Sequence, residues 1–162
     1  MVRIMSPEQV IHRYMTGQCH ALAFVLSNIL SKPVGILYAV RDGETPIPDP
    51  LHVYVMLGEG SVLDVKGQRS QEVMASDFEN LMSLLKLNEE DKLRHHFDEI
   101  SDPDELYEDL GFDSSWIRKA EIDLAGGLWD RLKFEGKPAL DPKAIVGMNR
   151  DKDFDADSSY GF

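Results

Sequence analysis

The spacing of apolar positions changes along the chain, and each change marks an element. Ser6-Pro7-Glu8-Gln9 opens the first helix: Ser6 suits the cap, Pro7 the first helical position, and Gln9 the place from which a capping box closes. That helix is expected to end at Thr16-Gly17. From Cys19 to Leu30, the residues Leu22, Ala23, Leu26, Ile29 and Leu30 recur on one apolar stripe, which predicts a second helix closed by Pro33. Val34 to Val40 is almost uninterrupted in apolar character and reads as a buried strand, with Arg41-Asp42-Gly43 as a turn.

Three prolines in residues 44–50 (ETPIPDP) predict an extended loop. Two short β-rich runs follow, Leu51–Leu57 and Ser61–Lys66, on either side of Gly58-Glu59-Gly60. This is the best hairpin signal in the chain. Ser70 to Leu87 carries Val73, Met74, Phe78, Leu81, Met82 and Leu85 at helical spacing and predicts one long amphipathic helix. Short helices are expected at 103–110 and 114–124, and the closing DKDFDADSSYGF as a frayed end. The order predicts one α+β domain over residues 1–148, a Cys-bearing helix packed on a small antiparallel sheet with additional C-terminal helices, and a flexible acidic tail at 149–162.

The length of 162 residues suffices for one sizeable core, and 43% hydrophobic residues argues against a disordered chain. Charge changes the picture more. The formal net charge is −12, and residues 88–113, with eleven acids against two bases, carry −9 of it. That balance disfavours nonspecific binding to nucleic acid or an anionic membrane and permits a basic protein partner. Trp116, Trp129 and Phe134 interleave with Arg118, Lys119, Arg131 and Lys133, but Glu121, Asp123, Asp130 and Glu135 cancel that field, so core aromatics are expected. The longest apolar run, Ala21 to Leu30, is broken by Ser27 and Asn28 and is too short for a membrane span. The start MVRIMSPEQV has no apolar signal region, so the expected compartment is cytoplasmic, or that of an effector exported without a classical signal.

Cys19, the one cysteine, excludes an intramolecular disulfide and a multi-cysteine metal site. It opens an apolar helix, where the positive end of the macrodipole favours a thiolate and free backbone N–H groups can stabilise an oxyanion. A buried, inert thiol is the alternative use of the same position. His52 begins a strand, and Asp64 lies twelve residues on, in the next. If Gly58-Glu59-Gly60 is a three-residue loop, residues summing to 118 face each other. His52 and Asp64 then share a face as diagonal neighbours. A two-residue loop would put them on opposite faces. On one face, Asp64 can fix the imidazole tautomer while His52 draws the proton from Cys19. His20 should point about 100° away from Cys19 on the helix and take no part. A zinc ion held by Cys19, His52 and Asp64 would satisfy ligand chemistry, yet no paired CxxC or HxxxH spacing supports it, and His12 and His95-His96 lack partners at metal spacing. Neither metal nor cofactor is expected.

The stretches GQCHALAFVLSNIL, LHVYVML and GSVLDVKG together resemble the papain-like and transglutaminase-like cysteine enzymes, in particular their compact bacterial and phage members. The resemblance spans residues 17–67. It implies a papain-like fold with Cys19 as nucleophile, His52 as base and acid, Asp64 as orienting carboxylate, and Gln18 or the Cys19 N–H at the oxyanion hole. The implied activity is hydrolysis or acyl/amide transfer on a protein or a small amide or ester: a deamidase, transglutaminase or peptidase-like enzyme. The interval of 33 residues from Cys19 to His52 leaves no room for a two-lobed cleft, and the CGSCW-like signature is absent. The other reading is a non-catalytic acidic binding protein, of immunity or adaptor type, that grips a basic partner through residues 88–113.

Overall fold

A computed structural model describes residues 6–41, 46–110 and 114–148. The expected turn at Asp42-Gly43, the start of the proline loop and the tail at 149–162 lie outside them. Helix α1 (Pro7–Thr16) begins with the anticipated capping box: the Ser6 hydroxyl accepts from the Gln9 N–H, and the Gln9 side chain accepts from the Ser6 N–H. Helix α2 (Cys19–Leu30) ends at Ser31, which adopts the left-handed conformation. Residues Ala21 to Ser27 of α2 are all buried, so this helix is enclosed on nearly every side rather than along one stripe. The buried Ser27 hydroxyl is satisfied by donating to the Lys32 carbonyl.

Strands β1 (Val34–Arg41), β2 (His52–Gly58), β3 (Ser61–Asp64), β4 (Gly67–Ser70) and β5 (Leu93–Ile100) form one antiparallel sheet in the order β4-β3-β2-β1-β5. The α+β class is as expected. Helix α2 lies on one face, against β2 above all, with α5 (Pro103–Leu110) and α6 (Ser114–Asp123) packed on it from outside. The main core gathers there, around Phe24, Leu26, Val53, Val55, Leu63, Ile117, Leu124 and Trp129. Trp129 is buried, and Trp116 and Phe134 pack against the same core, as the charge pattern implied. A smaller cluster on the opposite face joins Leu37, Tyr54 and Val62 to Met74, Ala75 and Phe78. Gly35 faces Tyr54 across the β1–β2 ladder, and a side chain there would collide with the Tyr54 ring and come within 2.8 Å of the Met56 sulfur.

Three expectations are corrected. The hairpin loop is a two-residue turn, Glu59-Gly60, with positive φ at both residues, not a three-residue loop. A bulge between Met56 and Gly58 offsets it, so Val55 still faces Leu63 and Met56 faces Val62, the register summing to 118. The helix expected over 70–87 is two short ones, α3 (Gln71–Ser76), capped by Ser70, and α4 (Glu79–Leu84). The chain turns at Asp77-Phe78, so that Met74, Phe78 and Met82 are buried while Val73 and Leu81 are exposed. Strands β4 and β5 were not anticipated. Both are edge strands, and β5 lies inside the acidic stretch, where charged side chains on an edge discourage further pairing. The helices anticipated at 103–110 and 114–124 are α5 and α6.

Candidate active site

Cys19 is the first residue of α2, so its backbone N–H has no acceptor within the helix. The residue is half-buried. His52 is the first residue of β2 and is completely buried. Its ring lies against Phe78, with centroids 4.8 Å apart, and beside Tyr54 at 6.0 Å. These aromatic walls leave the imidazole few orientations. Asp64 ends β3 and is 4% exposed.

The hairpin register brings the last two together: His52 Nε2 and Asp64 Oδ2 are 2.8 Å apart. With Nε2 engaged, the ring presents Nδ1 for other work. No hydrogen bond of ordinary geometry reaches Nδ1, yet the ring and the Cys19 thiol lie near enough to shift each other. Burial pushes the Cys19 thiol up, but the His20 and His52 rings, the charge on His52 and the Val53 N–H overcome it and bring the thiol down to about 6. Burial likewise opposes a charged His52, and its hydrogen bond to Asp64 together with its interactions with Cys19 and Asp64 win, lifting the imidazole to about 9. Between those values the favoured state is a thiolate beside an imidazolium.

The role of His20 corrects the expectation from helical geometry. The adjacent imidazole is among the groups that hold the Cys19 thiol down. Gln18, the residue before the helix, makes no capping hydrogen bond, and its buried Oε1 has no partner. Gln18 immediately precedes the Cys19 N–H, which has no acceptor within the helix.

Asp64 is more heavily engaged than a diagonal partner of His52 would need. Its Oδ1 accepts from the Lys66 N–H at 2.9 Å, which closes the β3–β4 turn, and its Oδ2 also accepts from Arg69 Nη2 at 2.7 Å. Arg69 Nη1 donates to Asp77 Oδ2 at 2.6 Å, and Lys66 Nζ reaches the same oxygen at 3.2 Å. Burial alone would raise the Asp64 carboxyl, but the hydrogen bond from His52, together with the charges of His52 and Arg69, holds it below the ordinary range. Arg69 and Asp77 gave no signal in the sequence. Arg69 belongs to a polar tetrapeptide that becomes a strand only by pairing with β3.

Among the described residues, no three His, Cys, Asp or Glu side chains converge as metal ligands. No helix among them is long and apolar enough to cross a membrane. No protein-family model, curated protein or solved structure matches the chain.

Proposed function

We propose that this protein is a papain-like or transglutaminase-like cysteine enzyme, a hydrolase or an acyl/amide transferase, working through Cys19, His52 and Asp64. The observation that carries the reading is the buried His52–Asp64 pair at 2.8 Å, with the second ring nitrogen left to a half-buried thiol at a helix start. In the first step the Cys19 thiolate attacks the carbonyl carbon of an amide or ester, and the carbonyl π electrons move onto oxygen. The Cys19 N–H and the Gln18 carboxamide are the donors at hand for that oxyanion. As the intermediate collapses, the His52 imidazolium gives its proton to the leaving amine or alcohol, and a thioester remains on Cys19. The now neutral imidazole takes a proton from water or from an acceptor amine as its oxygen or nitrogen attacks the thioester carbon; the C–S bond then breaks, the Cys19 thiolate leaves beside the imidazolium, and an acid or a new amide is released. Asp64 keeps the Nε2–H in place throughout. The substrate class is an acyl donor carried on a protein or a small molecule. The test is incubation with a library of electrophilic amide and ester probes, followed by mass spectrometry. An adduct on Cys19 that is lost in His52→Ala supports the assignment, and no adduct from any probe on the folded protein counts against it.

A second reading has one observation in its favour. Strand β5 lies at the sheet edge within the acidic stretch and exposes Asp98 and Glu99, with Glu89, Glu90, Asp102 and Glu105 also exposed nearby in the chain. A basic protein partner suits that edge. Charge reversal across those residues, read by pulldown, separates it from the enzymatic reading.

A further inference from the structure

We infer that Arg69 is a positioning residue for Asp64, acting on the thiol through Asp64 and His52. The inference rests on the Cys19–His52–Asp64 reading and adds to it the part that holds the carboxylate still.

The geometry has three parts. Asp64 sits at the end of a four-residue strand, next to a two-residue turn, where the backbone by itself gives the carboxylate little support. Arg69 leaves β4 on the same face, since it pairs with Val62, two residues before Asp64. Its guanidinium spans two carboxylates, Asp64 at 2.7 Å and Asp77 at 2.6 Å, and its side chain is 17% exposed. A planar fork that bridges two anions has one low-energy orientation, which a lysine would not reproduce. Asp77 in turn stands at the break between α3 and α4, one residue before the Phe78 ring that packs on His52. The guanidinium thus ties the carboxylate that orients His52 to the segment that walls its ring.

A further consequence lies in the electrostatics. Asp64 Oδ2 is shared between His52 Nε2 and Arg69 Nη2, so His52 faces a carboxylate whose charge is partly compensated. Among the described residues, the charged and titratable groups around this chain of contacts are Tyr14 on α1, Cys19 and His20 on α2, His52 and Tyr54 on β2, Asp64 on β3, Lys66 in the following turn, Arg69 on β4 and Asp77 after α3, with Asp98 and Glu99 of β5 acting on Tyr54. Two outcomes compete when Arg69 is removed. Loss of a cation alone would strengthen the imidazolium. Loss of the anchor lets Asp64 turn out toward water and weakens it. The anchoring effect is the larger here, because apart from His52 itself the contact on Oδ2 comes from Arg69, which Asp77 holds in turn, whereas the Lys66 N–H holds only Oδ1.

The experiment follows the ultraviolet absorbance of the Cys19 thiolate against pH in the intact protein, as a difference from Cys19→Ser. It compares Arg69→Met, Arg69→Lys and Asp77→Asn with the parent, and circular dichroism checks the fold of each. The expected result is an acid limb displaced upward by about one pH unit in Arg69→Met, so that thiolate at pH 5 falls about tenfold. Arg69→Lys should restore little of it, and Asp77→Asn, away from the buried pair, should move the limb the same way by less. An unmoved limb in Arg69→Met, or one displaced downward, with the parent's titration intact and abolished in His52→Ala, overturns the role of Arg69 and leaves the triad standing. If Arg69→Met does not fold, an unmoved limb in both Arg69→Lys and Asp77→Asn overturns it equally. If the parent shows no thiolate below pH 8, the triad reading itself fails.

Discussion

The sharpest consequence of the site concerns the rate at which Cys19 is alkylated in acid. With the thiol brought down to about 6, half of it is thiolate at pH 6. An ordinary cysteine, with a pKa of about 8.5, is only about 0.3% thiolate there, a difference of roughly 160-fold. A less basic thiolate is a poorer nucleophile, and with a Brønsted slope of about 0.45 a depression of about 2.5 units costs on the order of tenfold. The surplus at pH 6 is then about tenfold over a model thiol, whereas at pH 7 the same arithmetic leaves only about two- to threefold. The assay therefore belongs at pH 5 to 6: iodoacetamide in pseudo-first-order excess, with loss of free Cys19 followed by mass spectrometry. His52→Ala removes the ring and the charge of His52 but leaves His20, the Val53 N–H and the burial of the thiol, so the rate at pH 6 should fall severalfold. Equal rates in the folded His52→Ala variant would refute the thiolate–imidazolium pair, and so would labelling of Cys19 only in denaturant.

The remaining outcomes are read on turnover or on stability. Once a substrate is in hand, kcat/KM should be bell-shaped, with limbs near 6 and 9, because the first step needs Cys19 deprotonated and His52 protonated. Asp64→Asn should bring the upper limb down and lower kcat by about 10²- to 10⁴-fold, since the amide neither holds the imidazolium nor enforces the tautomer. Gln18→Ala should lower kcat by about tenfold or more while leaving the alkylation rate unchanged, which separates an oxyanion donor from a group that tunes the thiol. Gly35→Ala should destabilise the fold by about 1–3 kcal/mol in urea titrations, because the new methyl meets the Tyr54 ring and the Met56 sulfur.

The residues with chemical character were legible because each sits at an element boundary that the sequence marks. A cysteine after Gly17-Gln18 at the head of an apolar run is a helix-start thiol in almost any fold, and the helix is there. The pairing of His52 with Asp64 depended on a finer matter, the loop between β2 and β3. Two departures met there: the turn is shorter by one residue, and a bulge adds it back. The face shared by His52 and Asp64 was thus correctly inferred from a loop that is not the one formed. Strands β4 and β5 were illegible for a common reason. Neither Gly67–Ser70 nor Leu93–Ile100 alternates cleanly, because each is an edge strand that presents side chains to water on a large part of its surface. Their strand character comes from the neighbouring strand, not from their own composition.

The same cause explains why Arg69 escaped notice and why it matters to the site. A short hairpin arm at the end of a sheet has few apolar contacts to fix it, so a carboxylate placed there needs polar anchors. Here the anchors come from both sides of the turn: the Lys66 N–H on one oxygen, the Arg69 guanidinium on the other, and Asp77 behind it. Each link is short in sequence, between two and eight residues apart, so the whole assembly forms within residues 64–77. His52 and Cys19 are then brought to it by β2 and α2. The acidic excess of the chain is not what holds this assembly, since the charges at its centre are paired one to one or shared. The described residues among 88–113, which carry most of that −9, lie instead on β5, α5 and the segments beside them. A variant with that stretch neutralised should keep its acid-limb alkylation profile, which makes the independence of the two regions itself measurable.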